Sequence, residues 1–492
     1  MINKHIKKLT LYAIKENLVE KEDYPYIINR LLDLLHLETF KENEATLEEL
    51  KEPSALLTPI LDFAFEQGLF NPNITSKRDI FEAKIMDILI PKPSQVNTKF
   101  YSLYRENKKS STDYYYNLSQ KSNYIKTSRT SKDIIWKSNT SYGVLDITIN
   151  LSKPEKDPRD IIASKNKKNT GYPKCLLCIE NVGFAGNPGR SNHRIIPLTL
   201  NQEEFYLQYS PYVYYNEHSI VLMKEHIPMN TSIETFKRLF DFVDMFPHYF
   251  LGSNAGLPIV GGSILSHEHY QGGAYHFPII DAKILSEKHV GEVTLKQLYW
   301  PLSVIRLESK NKEDLIKLAD KLSTFWEKYS DPEVGVLAHT NAQHNAITPI
   351  ARKLDDLYVL DMTLRNNRRS ELFPLGVFHP HPENHHIKKE NIGLIEVMGL
   401  AILPGRLNKE LPQIKEAILN NSSLDGSMLI HNVWLKELKE KYVNEDIDTF
   451  IKNEVALKFV KCIENAGVFK QDKFGRQHFD IFMKKLINVL IK

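Results

Sequence analysis

The sequence predicts an α+β fold, with antiparallel β-sheets in the middle of the chain and helical regions at both ends. Three observations support this prediction. Apolar residues in the first hundred positions recur at helical spacing. Strand-like runs of β-branched and aromatic residues fill the stretch from about Asp133 to Arg365, and helical periodicity returns from Leu407 to the C-terminus.

The first hundred residues form the N-terminal helical region. Ile6 and Leu9 share one helical face, and a further helical stretch over 47–70 is interrupted by Pro53 and Pro59. No paired polar groups in this region suggest chemistry, so we expect it to serve packing or oligomerisation. A homodimer is one assembly that this region allows.

The middle of the chain contains strands, one helix and a glycine-rich run. The predicted strands cover 134–136, 144–149, several runs between Asn192 and Met223, 334–350 and 357–365. A helix is predicted over 235–246, and residues 252–273 are rich in glycine. This arrangement favours antiparallel sheets flanked by helices.

Composition narrows the functional class. The 492 residues are 42% hydrophobic and 25% charged, as in a globular protein of two or three domains. The 64 Lys and Arg residues nearly balance the 61 Asp and Glu residues, which argues against a dedicated nucleic-acid binder. The sequence contains no stretch of about 20 apolar residues, so no membrane span is predicted. The N-terminus is charged throughout, which is unlike a signal peptide. The low count of 3 cysteines favours the cytoplasm.

Residues 102–131 form a polar segment in which Ser, Lys, Asn and Tyr are interleaved. Two interpretations of this segment stay open. Lys126 or Arg129 could bind a phosphate group, or the segment could be a solvated surface connection.

A histidine motif concentrates the chemistry: His267, His269 and Gln271 follow a run of small residues that begins at Gly261. Strand residues two apart point to the same side of a sheet, so one histidine can orient or bind while the other is a nucleophile. Gln271 can donate a neutral amide hydrogen bond, and small residues let backbone N–H groups approach an anion. This combination favours attack of an imidazole on phosphorus. The alternative is a surface histidine cluster beside a glycine turn.

Cys175 and Cys178 form a CxxC pair, which alone is compatible with redox chemistry or metal binding. The sequence has no second CxxC, so two further metal ligands would have to be histidines or carboxylates. His226 and His267 are well placed by their sequence context. The sequence therefore predicts zinc at these four residues, with a pair of buried or free thiols as the alternative.

Several stretches resemble the second, mainly Gram-positive class of hexose-1-phosphate (galactose-1-phosphate) uridylyltransferases, which belongs to the histidine-triad superfamily. The HxHxQ pattern at 267–271 and the strand with a lysine-x-histidine turn at 220–229 are marks of the superfamily. The segment 214–218 is similar to an aromatic-Asn-acid segment that holds uridine in the first class. The longer stretches that look like the second class are 122–137, 147–159 and 378–407.

The resemblance implies roles for individual residues. His269 matches the nucleophilic histidine, and Gln271 matches the glutamine that hydrogen-bonds the transferred phosphate. The positions implied to bind substrate, either as the uridine-holding pair or around the phosphate, are Asn216, Glu217, Asn254, Gly262 and Ser263.

The resemblance also implies metal sites. The residues that match the zinc ligands of some first-class members are Cys175, Cys178, His226 and His267. The residues that match a second metal site of the first class are His344, His379 and His381. The alternative is that the histidines at 379, 381, 385 and 386 contact sugar phosphate or solvent.

The fold implied by the resemblance consists of two histidine-triad-like halves. The histidines at 379 and 381 echo those at 267 and 269, which suggests an internal repeat. The boundaries that follow are 1–130 for the helical N-terminal region, 131–285 for the first half, and 286–492 for the second half with the C-terminal helices.

The expected function is exchange of UMP between UDP-glucose and galactose 1-phosphate through a uridylyl-histidine, a step of galactose metabolism in the Leloir pathway. This chemistry requires neither nicotinamide nor flavin, and the sequence has no GxGxxG or Walker fingerprint. Zinc is the cofactor that the ligand set suggests. Two alternatives are a histidine-triad phosphorylase or hydrolase acting on another nucleotide, and a non-catalytic zinc module.

Overall fold

The computed structural model describes residues 2–42, 44, 52–152, 171–262 and 264–491. Over these residues the chain is α+β as predicted, with helices at both ends and antiparallel strands in the middle. None of the described helices combines the length and the apolar content that crossing a membrane requires.

The helices form where apolar residues recur every three or four positions along one face. In the first helix, Ile6, Leu9 and Ala13 are buried on the same side. The described α-helices are α1 (Ile2–Lys15), α2 (Tyr24–Leu34), α3 (Pro53–Glu66), α4 (Thr75–Ile88), α5 (Pro93–Glu106), α6 (Lys108–Lys121), α7 (Thr127–Thr130), α8 (Ile233–Met245), α9 (Lys312–Lys328), α10 (Leu394–Val397), α11 (Leu407–Leu419), α12 (Asn432–Lys441), α13 (Ile447–Ala466) and α14 (Lys473–Leu490).

The strands are short and rich in β-branched and aromatic residues, which fit a pleated surface. The described strands are β1 (Ile134–Thr140), β2 (Gly143–Ile149), β3 (Ile196–Leu200), β4 (Glu203–Tyr209), β5 (Ser219–Met223), β6 (Phe250–Gly252), β7 (His269–Gly273), β8 (Lys283–Val290), β9 (Val293–Tyr299), β10 (Val304–Ser309), β11 (Asn345–Leu354), β12 (Leu357–Asn366) and β13 (Leu400–Leu403).

Ten strands form one antiparallel sheet in the order β3-β4-β5-β7-β6-β11-β12-β10-β9-β8. Each half of this sheet has the same topology: three strands form a meander, a helix (α8 or α9) follows, and the last two strands return in reversed order. The halves join edge to edge, where Leu251 and Gly252 of β6 pair with Ala351 and Ile350 of β11. The predicted architecture of two related halves is therefore confirmed in the strand order.

Alternating side chains give the first half-sheet two different faces. Leu207, Val221 and Tyr270 point into a hydrophobic core that also contains the buried faces of α1–α6 and α8. Gln208 and Ile220, their neighbours on the same strands, point to the opposite face and line a cavity. This open face is where the histidine motif lies.

The second half-sheet is covered on both faces. A second core packs Leu298 and Ile350 of this sheet against the C-terminal helices, through side chains such as Trp434 and Phe459. A small sheet of order β1-β2-β13 lies against the same core, and β13 pairs with β2 in parallel. Residues far apart in the sequence thus build this second core.

Three of the predicted segments differ from the structure. The polar segment 102–131 is mostly helical, as the end of α5, then α6 and α7, so it is not a solvated connection. The strand expected over 334–350 begins only at Asn345, because residues before it form turns. Phe378–His381 lies in a loop beyond β12 and not in a strand, so it does not repeat the position of His267 and His269. The approximate boundary between 285 and 286 stays a prediction; the nearest element is β8 (Lys283–Val290), the first strand of the second half-sheet.

Candidate active site

The candidate site is a cavity of about 470 Å³ on the open face of the first half-sheet. His269 and Gln271 lie two residues apart on β7, so their side chains point to the same side of the sheet. Both line this cavity, as their spacing predicts. Side chains from the N-terminal helices close its opposite wall, including those of Asp79, Lys126 and Arg129. The cavity therefore combines a sheet face that carries histidine and amide groups with a charged helical wall.

His269 is held as a neutral imidazole with a defined tautomer. Its Nδ1 lies 2.7 Å from the carbonyl oxygen of His267, which can only accept, so Nδ1 donates and Nε2 carries no proton. Burial lowers the pKa of His269 to about 4, and this effect outweighs the hydrogen bond, which acts to raise it. An unprotonated Nε2 in a cavity is what nucleophilic attack requires.

His267 does not share the cavity with His269, contrary to the expectation from strand alternation. The strand begins only at His269, so the alternation does not extend back to His267. The His267 ring faces the two cysteines instead, and its Nε2 donates to the Met223 carbonyl oxygen at 2.8 Å. The two histidines therefore have separate environments, linked by the His267 backbone carbonyl.

A buried histidine that the motif analysis missed orients Gln271. His218 Nε2 donates to the Gln271 Oε1 atom at 3.1 Å, which directs the amide N–H groups of Gln271 away from His218. Burial lowers the pKa of His218 to about 4, so this donor is neutral above that pH. The pairing of Ile220 with Gln271 across β5 and β7 brings the two together. In the sequence, segment 214–218 drew attention through Asn216 and Glu217. The contact between His218 and Gln271 becomes visible only when β5 and β7 pair.

We expect loss of the His218 donor to disorient the Gln271 amide. In the His218→Leu variant, the rate of transfer should fall by about tenfold, the value of one hydrogen bond. The His218→Gln variant carries an amide donor near the original Nε2 position and should recover most of the rate. The measurement is kcat with saturating substrates, together with KM. Equal losses in both variants would argue that His218 only fills space.

Asn254 and Gly262 lie together on the cavity wall. Asn254 is buried, and its Oδ1 accepts from the Leu394 N–H at 3.0 Å, which leaves its amide nitrogen toward Gly262. A Cβ at Gly262 would lie 2.9 Å from Asn254 Nδ2, so this close approach requires glycine. Both residues line the cavity. Ser263, predicted beside them, lies outside the described residues.

Asn216 and Glu217 are not brought to the cavity. Glu217 has a φ of 54°, and its carboxylate is buried and accepts from the Tyr249 hydroxyl. Asn216 Nδ2 donates to Glu217 Oε1 at 3.1 Å. The turn at Glu217 directs the side chains of Asn216 and Glu217 away from the cavity. Segment 214–218 lines the cavity through Tyr214 and His218 instead.

The predicted metal ligands converge. The ligand atoms of Cys175, Cys178, His226 and His267 all lie within 4.8 Å of one another. The Sγ atoms are 3.6 Å apart, and Nδ1 atoms lie 3.2 Å from sulfur in the His267–Cys175 and His226–Cys178 contacts. A tetrahedral zinc with bonds of about 2.0–2.3 Å has ligand separations of roughly 3.3–3.8 Å. The four residues therefore fit zinc.

Hydrogen bonds around this cluster prepare it for a cation. The Leu177 N–H points to Cys175 Sγ and the Cys175 N–H points to Cys178 Sγ, each at 3.3 Å. Asn181 Nδ2 fixes the loop by donating to the carbonyl oxygens of both cysteines at 2.8 Å. Because His267 donates through Nε2, the lone pair of its Nδ1 is directed to the cluster.

The residues of the expected second metal site do not converge. His344 nitrogens contact Asn367 and Thr340, and those of His379 contact Asn391 and the Pro380 carbonyl. His381 is engaged by Val377 and Asn465 and stacks on Phe373. Within the described ranges, the cluster at Cys175 is the one group of His, Cys, Asp and Glu side chains arranged to hold a metal. The expectation of a second site at these three histidines is therefore not supported, because their ring nitrogens bind protein groups.

A neutral imidazole and an oriented amide in one cavity are groups suited to an enzyme that transfers a phosphorus-containing group. Comparisons with known proteins make this class specific. The galactose-1-phosphate uridyl transferase N-terminal domain matches residues 17–228, and the C-terminal domain of the same name matches residues 242–438. The chain belongs to the galactose-1-phosphate uridyl transferase family.

Full-length relatives agree with this assignment. The chain is 50% identical to the galactose-1-phosphate uridylyltransferase of Clostridium acetobutylicum, over 100% of both chains. It is 48% identical to the protein of that name from Fusobacterium nucleatum, over 98% of each chain. Among solved structures, yeast Ap4A phosphorylase Apa2 is 12% identical with a TM-score of 0.33, over 62% of this chain and 92% of that chain.

Proposed function

We propose that this protein exchanges UMP between UDP-glucose and galactose 1-phosphate through a covalent uridylyl-His269 intermediate. The observation that carries this proposal is the state of His269: its Nδ1–H is held by the His267 carbonyl, and its ring lines the same cavity as Gln271. Family membership supports the choice of substrates. The proposed reaction would be a step of galactose metabolism, in the Leloir pathway, and the low count of 3 cysteines supports a cytoplasmic location.

The first displacement uses the Nε2 lone pair of His269. This atom attacks the α-phosphorus of UDP-glucose, an N–P bond forms, and the bond from the α-phosphorus to the bridging oxygen breaks. The electron pair leaves with glucose 1-phosphate. Because Nδ1–H is hydrogen-bonded to the His267 carbonyl, the positive charge that develops on the ring is stabilised where it forms.

The second displacement reverses the first with a different acceptor. A phosphate oxygen of galactose 1-phosphate attacks the α-phosphorus, the N–P bond breaks, and UDP-galactose leaves with neutral His269 restored. Two displacements through a covalent intermediate replace one difficult step by two easier ones. The amides of Gln271 and Asn254 line the cavity and are suited to donate to the phosphoryl oxygens as charge builds up.

Zinc fits the cluster formed by Cys175, Cys178, His226 and His267, and we propose a structural role for it. When bound, the ion would fix the loop that carries the cysteines to the chain on either side of His267. Zinc bound to the His267 side chain would then also position the His267 carbonyl oxygen, which holds the His269 ring. The chemistry itself needs no metal step.

Product analysis tests the proposal against a phosphorylase or hydrolase. The protein is incubated with UDP-glucose and either galactose 1-phosphate, inorganic phosphate or water alone. We expect UDP-galactose and glucose 1-phosphate with the sugar phosphate, and little turnover in the other two reactions. Rapid formation of UDP or UMP without the sugar phosphate would contradict a transferase.

Gln271 is proposed to favour transfer over hydrolysis, because an amide cannot take a proton from water. Replacing it by histidine introduces a titratable group with a pKa near ~6.5. We expect the Gln271→His variant to lose transfer, while the ratio of UMP released to UDP-galactose formed rises. Both products are quantified by chromatography in one reaction.

The matched control is the Gln271→Leu variant, which lacks both the amide donor and a titratable group. It should lose transfer with the product ratio unchanged. A ratio that stays constant in the Gln271→His variant would refute the proposed reason for glutamine. The assignment of His269 as nucleophile would survive, since it rests on other contacts.

A further inference from the structure

The cavity of His269 has a strongly cationic wall. Lys126, Arg129 and Arg190 line it, and Asp79 is the one carboxylate among its described lining residues. An excess of positive charge in a partly enclosed space attracts an anionic ligand.

Two of the cations are fixed in position by carboxylates of α4. Arg129 makes a bidentate pair with Asp79, at 2.9 and 2.7 Å, and Lys126 Nζ lies 2.7 Å from Asp79 and also contacts Glu82. Burial raises the pKa of Glu82, although its pairing with Lys126 acts in the opposite direction. These pairs hold α7 against α4 and set the direction of both cations on the cavity wall.

Arg190 differs because no carboxylate among the described residues pairs with it. Its Nη1 donates to the Tyr124 hydroxyl at 3.2 Å, and that hydroxyl donates to the Tyr209 carbonyl at 3.1 Å. The Nε atom of Arg190 is buried without a hydrogen-bond partner. Because Arg190 lines the cavity and no described carboxylate balances its charge, an anion in the cavity would pair with its guanidinium group. Since Tyr124 precedes Lys126 by two residues, Arg190 adjoins the Lys126–Arg129 wall.

We propose that Arg190, with Lys126 and Arg129, forms a subsite for the phosphate group that the substrate carries beyond the transferred UMP. This inference rests on the proposed function. The group is the β-phosphate of the UDP-hexose in the first displacement and the phosphate of the entering hexose 1-phosphate in the second. Glucose 1-phosphate gains negative charge as it leaves, and a guanidinium beside its phosphate stabilises that charge.

The subsite predicts a difference between ligands with one and two phosphate groups. UMP ends at the transferred phosphate, whereas UDP-glucose has the further phosphate that Arg190 would bind. In a His269→Gly background, which cannot form the covalent intermediate, we expect the Arg190→Gln substitution to lower the calorimetric affinity for UDP-glucose by about ten- to a hundredfold, as for loss of a charged hydrogen bond. Affinity for UMP should change by less than about twofold.

Kinetics give the second measurement. The KM for galactose 1-phosphate should rise in the Arg190→Gln variant, and the Arg190→Lys variant, which keeps the charge but not the fork of donors, should lie between it and the wild type. The matched control is Lys132→Gln, which removes a charge three residues from Arg129 at an exposed position that is not among the cavity residues. This control should behave as the wild type.

Each outcome has a distinct meaning. Equal weakening of UMP and UDP-glucose, or an unchanged affinity for both, would overturn the subsite. The subsite would also be overturned if the wild type exchanges UMP but the Arg190→Gln variant keeps the wild-type KM for galactose 1-phosphate. That result would leave the proposed function standing. Absence of UMP exchange by the wild type would overturn the proposed function, whereas the comparison of UMP with UDP-glucose would still test the subsite.

Discussion

Replacing His269 by glycine should abolish UMP exchange and leave the fold intact. The proposed covalent bond forms at Nε2 of this residue, so the variant has no atom to receive the uridylyl group. Loss of a nucleophile commonly costs several powers of ten, and we expect the exchange rate to fall by at least about 10⁴-fold. The exchange between UDP-glucose and galactose 1-phosphate is measured by chromatography, and circular dichroism reports on the fold.

The control is His289→Gly, because the His289 side chain on β8 is 70% exposed and lies outside the cavity. This variant should keep the wild-type rate. Incubation of wild-type protein with radiolabelled UDP-glucose should trap a uridylyl group that is labile in acid and stable in base. A His269→Gly variant that retains more than about a tenth of the rate would be incompatible with covalent catalysis through this residue.

Loss of one cysteine of the metal cluster should have the second largest effect. In the Cys178→Ser variant, we expect zinc content to drop clearly below the one per chain expected of the wild type, since a structural zinc site is normally closed by four protein ligands. The unfolding free energy should fall by about 3 kcal/mol or more, which lowers the melting temperature by several degrees. Exchange activity should fall with it, because His267, whose carbonyl oxygen holds the His269 ring, is another ligand of the same cluster.

The matched control for this prediction is Cys462→Ala. Cys462 is buried in α13 among apolar side chains, outside the metal cluster. The zinc content of the Cys462→Ala variant, determined by elemental analysis, should equal that of the wild type even if the melting temperature shifts slightly. A Cys178→Ser variant that retains one zinc per chain would show that the metal lies elsewhere.

The helical ends and the α+β centre could be predicted because they depend on local periodicity. Helix α8 over Ile233–Met245 lies close to the predicted 235–246 for this reason. The joint between the half-sheets could not be predicted, since β6 has only three residues and no alternating pattern. Its partner β11 is about a hundred positions away, and β13 pairs with β2 from still further. Such pairings depend on the whole chain and not on local sequence.

The same distinction applies to the site. His269 and the CxxC pair could be found because short spacings of reactive residue types are visible in the sequence. His218 and Arg190 were missed, because their roles depend on contacts with Gln271 and Tyr124 that only folding creates. Lys126 and Arg129 were recognised as phosphate-binding candidates, but their place opposite His269 required the packing of helices against the sheet.

The repeated strand order has a consequence for stoichiometry. The fifth strand of the second half, β12, has the sequence LYVLDMTLRN and contains no histidine. Its buried Asp361 is neutralised by Arg306 and Arg352, at 2.6 and 2.7 Å. The equivalent strand of the first half, β7, carries His269 and Gln271, so only one of the two half-sheets holds the proposed nucleophile. On the proposed mechanism, each polypeptide would therefore carry a single equivalent of uridylyl group, although the strand order occurs twice.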